Sequence, residues 1–385
     1  MLYKSPAAAY CAPPTNSEEE TILDFLQEFS DPELCKALIG QLVDECDKPF
    51  RFMEVCGTHT VAIFRSGLRS LLPDTIVHVS GPGCPVCVTH ESEVELYLEM
   101  ACRRDTITAT FGDLMKVPGA GGACLKTAQA EGARIEIVYS PFDALTLARK
   151  NPDKKIVFLG IGFETTAPTI AATVKMAREQ NIDNFLVLSF HKLVPPALKG
   201  LLDDPEIGVD GFLLPGHVST IIGLEPYRFI ASEYGIPGAI AGFDPIDVLK
   251  GLLAIVRMHK EGKPAVTNEY RRAVSDKGNP TAVAVMEEVF EQADAQWRGI
   301  GIIPGSGLVF RDDWKDFDAA AVLGLVQKPA PPLPGCKCGD VLKGKIRPDE
   351  CPLFKKRCTP ATPVGPCMVS TEGSCAAYFK YHIES

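Results

Sequence analysis

Between residues 50 and 245 one local pattern recurs eight times: a short apolar run, a loop rich in Gly, Pro, Cys or His, then a helical stretch. The runs are Phe50–Val55, Thr75–Ser80, Thr106–Phe111, Arg134–Tyr139, Lys155–Gly160, Asn184–Phe190, Gly211–Leu214 and Ala239–Gly242. Strands that alternate with helices imply parallel sheets joined by helical crossovers. Eight units fit a single eightfold barrel or two four-unit sheets. The units are short, and the most unusual loops fall in the first half, which favours two parallel-sheet α/β domains breaking near Asn151-Pro152-Asp153. The expected organisation is a disordered leader over 1–16, one α/β domain over 17–150, a second over 151–279, and a C-terminal region over 280–385. Ser17 and the acidic residues after it read as the start of a helix, and a second helix is expected near 32–46. Residues 280–335 read as helix and loop, and 336–385 as a separate cysteine-rich tail.

In parallel sheets ligands gather beyond the carboxyl ends of the strands. Every unusual loop here sits at such an end. Cys56-Gly57-Thr58-His59 lies between a strand and a helix, where the helix dipole is expected to lower the thiol pKa. His59 can hold a proton or orient a ligand. Cys84-Pro85-Val86-Cys87 has the spacing of a redox dithiol or half of a metal site, and Gly81-Pro82-Gly83 makes a tight loop before it. Gly162-Phe163-Glu164-Thr165-Thr166 places a carboxylate and two hydroxyls at a turn; substrate binding competes with simple helix capping. His191 and His217 also follow strands and are expected on the same rim, Asp113 and Asp143 being weaker candidates. Cys102 and Cys124 fall in expected helices and read as core thiols. Cys11, Cys35 and Cys46 need no role.

The 14 cysteines require a compartment. The first 20 residues hold no signal-like apolar core, and no stretch reaches the ~18 apolar residues of a membrane helix. A cytoplasmic protein is expected, and there clustered cysteines more often bind metal or do redox chemistry than form structural staples. The net charge of −10 argues against non-specific nucleic-acid binding. Six cysteines lie in the tail: Cys336, Cys338, Cys351, Cys358, Cys367 and Cys375. Few tail residues are apolar, so a metal or disulfide should organise it. The tail lacks the paired C-x-x-C knuckles of a zinc ribbon, and its wide gaps favour a [4Fe–4S] cluster over zinc.

Met53-Glu54-Val55-Cys56-Gly57-Thr58-His59, Gly81-Pro82-Gly83-Cys84-Pro85-Val86-Cys87, Gly162-Phe163-Glu164-Thr165-Thr166 and Cys367 through Tyr378 together resemble the HypD family of [NiFe]-hydrogenase maturation factors, from about residue 50 to the end. The resemblance implies an assembly scaffold, a monomer before complex formation. With HypC it would carry an iron being dressed as Fe(CN)2CO, with cyanide delivered by HypE from HypF and the hydrogenase large subunit as distant recipient. It assigns that iron to Cys56, a redox dithiol to Cys84 and Cys87, and a [4Fe–4S] cluster to Cys336, Cys351, Cys358 and Cys375. Cys338 and Cys367 remain as a nearby, possibly disulfide-bonded pair. Electrons would pass from the cluster through the dithiol to the iron, with His59, Glu164 and His217 orienting ligands or holding protons. Two other classes compete. One is an iron–sulfur-dependent reductase of a protein disulfide, which would leave Cys56 idle. The other is a zinc-organised adaptor.

Overall fold

The computed structural model describes residues 30–381. The expected leader and the helix opening at Ser17 lie outside the described residues. The second expected helix spans Pro32–Glu45, capped by Asp31, whose carboxylate accepts the Glu33 and Leu34 N–H groups.

Eight strands form in the eight expected places: β1 (Phe50–Glu54), β2 (Ile76–Ser80), β3 (Thr106–Thr110), β4 (Ile135–Ile137), β5 (Lys155–Gly160), β6 (Phe185–Ser189), β7 (Gly211–Pro215) and β8 (Gly238–Ala241). A short β9 (Val266–Asn268) was not expected. All nine lie in two parallel sheets, ordered β2-β1-β7-β8-β9 and β4-β3-β5-β6. The fold is therefore mixed α/β with parallel sheets, and the eightfold barrel is excluded.

The boundary expected near residue 151 needs correction. β3 pairs with β5 across it, Thr106 opposite Lys155, and β1 pairs with β7, Phe52 opposite Gly211. The second sheet is thus an insertion between β2 and β7 of the first. The chain leaves the first sheet through the helix Glu91–Ala101 and re-enters after the helix Val194–Leu202. Central strands are buried on both faces, which is why they read as near-continuous apolar runs. β3 is an exception in composition: Thr106, Thr108 and Thr110 are fully buried, and the Thr106 hydroxyl is satisfied by the Met100 and Arg103 carbonyls.

Residues 280–335 depart further from the loop-and-helix expectation. After the helix Pro280–Val289, β10 (Phe290–Trp297) and β11 (Gly301–Phe310) form an antiparallel hairpin, its register shifting between Ala293 and Ala295. Polar residues in β10 and glycines in β11 hide this hairpin from pattern reading. It links the two sheets: Trp297 bridges to Thr89 after β2, and Gly307 to Lys192 after β6.

The tail does not stand apart. Cys338, Phe354, Cys358, Cys367, Met368, Cys375 and Tyr378 share one core with Met53, Phe64, Cys84 and Cys87 of the first sheet. The helix Ser374–Tyr381 lies on the helix Gly57–Arg65, with the Phe64 and Tyr378 rings 4.6 Å apart and Arg69 over both. A segment too polar to fold alone buries its few apolar side chains against the α/β body. Among the described residues no helix is long and apolar enough to cross a membrane.

Candidate metal and thiol centre

Cys56 leaves β1 in extended geometry and stands at the N-cap of the helix Gly57–Arg65. Its loop is held by its own strand end and by two distant segments. Glu54, fully buried, accepts the Cys56 N–H at 3.0 Å and the Thr60 hydroxyl at 2.5 Å. Gly83 approaches so closely that a Cβ there would lie 2.2 Å from the Cys56 nitrogen, while the Gly83 carbonyl accepts the Gly57 N–H at 3.0 Å. From the tail, Glu372 accepts the Thr58 hydroxyl at 2.8 Å and packs so tightly that a Cβ on Gly57 would meet it at 2.6 Å.

The expectation of a lowered Cys56 pKa is overturned. Burial pushes the thiol up to about 12, against the lowering influence of the His59 and Thr58 N–H groups, and the Glu372 carboxylate adds to the rise. The helix N-terminus acts in the expected direction, but desolvation outweighs it. Such a thiol keeps its proton at neutral pH until a cation arrives. A bound metal ion displaces it.

His59 is fully buried, and its Nε2 lies 2.9 Å from the Gly242 carbonyl and 3.2 Å from that of Ala241. The carbonyls require Nε2 to carry the proton, which leaves Nδ1 as an acceptor without a partner. Burial lowers its pKa to about 4, so the ring is neutral. The Phe243 ring stands between His59, 4.8 Å away, and His217, 4.1 Å away. His217 is exposed at the mouth of the cleft.

The second sheet supplies the opposite wall. Glu164 is buried, one carboxylate oxygen accepting the Val194 N–H at 2.9 Å and the other unpartnered. Burial raises its pKa to about 7. Tyr227, fully buried, bridges the walls: burial raises its phenol, and both Glu164 and Cys56 contribute. Asp113 reaches the same cleft, its carboxyl raised by desolvation and then by Glu372. Thr166 caps its own loop carbonyl, Phe163, at 3.2 Å and donates nothing to the cleft. His191 does not join this group. It is buried beneath the hairpin, 2.9 Å from the Ser189 hydroxyl and packed near Phe290.

Cys84 and Cys87 are bonded to each other, with Cα atoms 5.2 Å apart, directly after the glycine that touches Cys56. Cys338 and Cys367 form a second bond, Cα atoms 6.4 Å apart. The helices Pro85–Val88 and Pro366–Val369, carrying Cys87 and Cys367, touch. Cys336, Cys351, Cys358 and Cys375 line one cavity beside the second bond. Burial raises Cys375 strongly, and Cys336, Cys358 and Cys351 raise it further. Cys336 is raised by burial and by Cys358 and Cys351. Four thiols around one cavity fit an all-thiolate metal group. Among the described residues no three donors converge as the ligands of a single metal ion. Cys102 and Cys124 are corrected: the first is exposed at a helix C-cap, the second half-buried at a helix N-cap. Helix ends, not interiors, hold them.

The profile of the HypD family, described as the hydrogenase formation hypA family, matches residues 33–382. The chain belongs to the HypD family of hydrogenase maturation factors. It is 43% identical over 368 residues to the hydrogenase maturation factor HypD of Cupriavidus necator, covering 93% of this chain and 97% of that protein. The Escherichia coli (strain K12) HypD is 44% identical over 369 residues, 93% of this chain and 98% of that protein. The hydrogenase expression/formation protein HupD of Azotobacter chroococcum mcd 1 is 41% identical, over 93% and 97%.

Sequence reasoning for this HypD-family chain missed Glu54, Tyr227, Glu372 and Arg298. Arg298 is buried, donating to Glu91 at 2.6 Å and the Thr89 carbonyl at 2.9 Å, with one guanidinium nitrogen unpartnered on the side of Cys336. Glu54 and Glu372, each inside a quoted motif, carried a sequence signal. The others depend on neighbours far along the chain.

Proposed function

We propose that this HypD-family chain is an assembly scaffold that holds an iron on Cys56 while cyanide and carbonyl are attached. HypC completes the thiolate set, and HypE delivers the cyanide. The observation that carries this reading is the construction of the Cys56 loop. Glu54 beside it, and Gly83 and Glu372 from distant parts of the chain, hold one otherwise idle, buried thiol in place. A thiol held protonated by burial is released by a soft metal cation, and the iron here is cargo. His59, neutral and with Nδ1 free, offers an acceptor in the same cleft, and Glu164, titrating near neutrality, can hold or release a proton there.

Cys336, Cys351, Cys358 and Cys375 would hold a [4Fe–4S] cluster, which supplies single electrons when bound. The four cysteines stand wide apart in the chain without paired C-x-x-C knuckles, which supports a multi-iron centre over a single zinc ion. Opening the Cys84–Cys87 bond takes two electrons and two protons and yields two thiols beside Cys56. The contact between the Cys87 and Cys367 helices supports electron supply to that pair from the tail.

The test is anaerobic co-purification with HypC followed by infrared spectroscopy. Cyanide and carbonyl bands are expected with the parent chain and lost in Cys56→Ala, while iron in the tail persists. Bands that survive in Cys56→Ala would overturn the iron-ligand role. Turnover of a free protein disulfide that is indifferent to Cys56 would favour the reductase reading.

A further inference from the structure

Two of the tail thiols stand at the feet of one tight turn. The Phe354 N–H donates to the Cys351 carbonyl at 3.0 Å, and the Lys356, Arg357 and Cys358 N–H groups all converge on the Leu353 carbonyl, at 3.2, 3.1 and 2.9 Å. Lys355 takes a positive φ of 56° at the tip, one of two non-glycine residues to do so among the described residues. That geometry, rare for a long side chain, turns three consecutive cations outward. Lys355, Lys356 and Arg357 are all exposed, and Lys355 leans over the Phe354 ring. Among the described residues no carboxylate is ion-paired with Lys356 or Arg357. Elsewhere in the segment Lys337 pairs with Asp340, Lys345 with Asp204 and Glu206, and Arg347 with Asp349.

Residues 336–358 hold seven basic and three acidic side chains, in a chain whose net charge is −10. The cationic turn is thus a local reversal of sign, placed over two of the four thiols. The opposite side of the thiol cavity faces inward, toward the Cys338–Cys367 bond and the helix carrying Cys87. An all-thiolate iron–sulfur group accepts electrons singly, whereas each disulfide needs two. The source must therefore be a one-electron carrier that visits twice, and it must approach from the outer side.

We infer that the Lys355–Arg357 turn is the docking surface for an acidic one-electron carrier protein. This rests on the four-thiol reading above. Each visit oxidises the carrier by one electron. Two visits with two protons from solvent convert one disulfide to two thiols. Steering by a compact patch of charge raises association rates and falls with salt.

The test uses the full chain purified anaerobically, with an acidic [2Fe–2S] ferredoxin as probe. Binding of the oxidised probe is measured by calorimetry, and reduction by the reduced probe by stopped-flow absorbance, across ionic strength. Combined Lys355→Glu, Lys356→Glu and Arg357→Glu should weaken binding and slow the second-order rate at low salt by about tenfold or more, and reverse the salt dependence. Lys356→Gln with Arg357→Gln should give a smaller loss of the same sign, a milder change should the triple variant fold poorly. Lys126→Glu with Lys150→Glu, on remote helices, should change neither. A triple variant that keeps its iron and visible absorbance yet binds and reacts as the parent does would overturn the inference. A parent chain without iron or visible absorbance would instead sink the four-thiol reading, and the calorimetry would then decide the docking surface alone.

Discussion

The lone thiol of Cys56 and the four thiols of the tail are both buried, but burial does different things to them. Around Cys56 the protein supplies complete local order: a carboxylate below, a glycine alongside, a glutamate above. Around Cys336, Cys351, Cys358 and Cys375 it supplies four sulfur groups lining one cavity and little else. The first site is ordered by folding alone. The second, on the reading proposed above, would be completed by a bound metal group.

The largest effect that could separate the two is loss of a tail thiol. Cys375→Ala should abolish anaerobically bound iron and visible absorbance and lower stability by several kcal/mol in the iron-loaded protein. Cys56→Ala should leave both nearly unchanged. Equal iron loss in the two variants, by metal analysis and thermal melts, would erase the distinction.

The cleft wall offers a pH test. The folded Glu164 pKa of about 7 lies above the unfolded value near 4.5, so the folded state binds the proton more tightly. Its favourable contribution is fully present below about pH 4.5 and is lost as pH rises through 7. Glu164→Gln keeps an acceptor for Val194 and should therefore stabilise the protein by about 3 kcal/mol at pH 8 and not at all near pH 4.5. Denaturant melts at the two pH values read this directly, and a gain independent of pH would contradict it.

Smaller changes probe the ordered loop itself. Gly83→Ala drives a methyl into the Cys56 backbone and should cost about 1–3 kcal/mol. It should also displace the thiol, which cysteine-reactive probes would report as faster labelling. Thr58→Ala removes the hydroxyl that donates to Glu372 and should cost about 1 kcal/mol. Neither should alter tail iron; a loss there would mean that the two regions are one cooperative unit.

How much of this could be read from the chain depends on the range of the interaction. Strands buried on both faces write themselves as apolar runs ended by Gly, Pro or His, so β1 through β8 were readable, as was the α/β class with its cysteine-rich end. Pairing order is not local. Nothing in Phe50–Glu54 announces Gly211 as a neighbour, so the insertion of the second sheet was missed. The hairpin β10–β11 was missed because its glycines mimic a loop. Cys56, His59 and Glu164 were singled out through their loops, and all three are buried just beyond the carboxyl ends of β1 and β5. His191 satisfied the same rule yet lies buried elsewhere, since following a strand fixes a position but not a direction. The pKa of Cys56 was misjudged because a dipole is visible in sequence and desolvation is not.

The insertion also sets an order of events on the ribosome. β3 to β6 are contiguous and can pair as soon as residue 189 has emerged, whereas β1, paired with β2 early, must wait for β7 to gain its second neighbour, and the Cys56 loop must wait for Glu372. Until Glu372 is made, the Cys56 thiol lacks the glutamate that packs over its loop. A nascent chain therefore passes through a long interval in which that sulfur is open to oxidants, and only a chain that has reached Glu372 can shut it away.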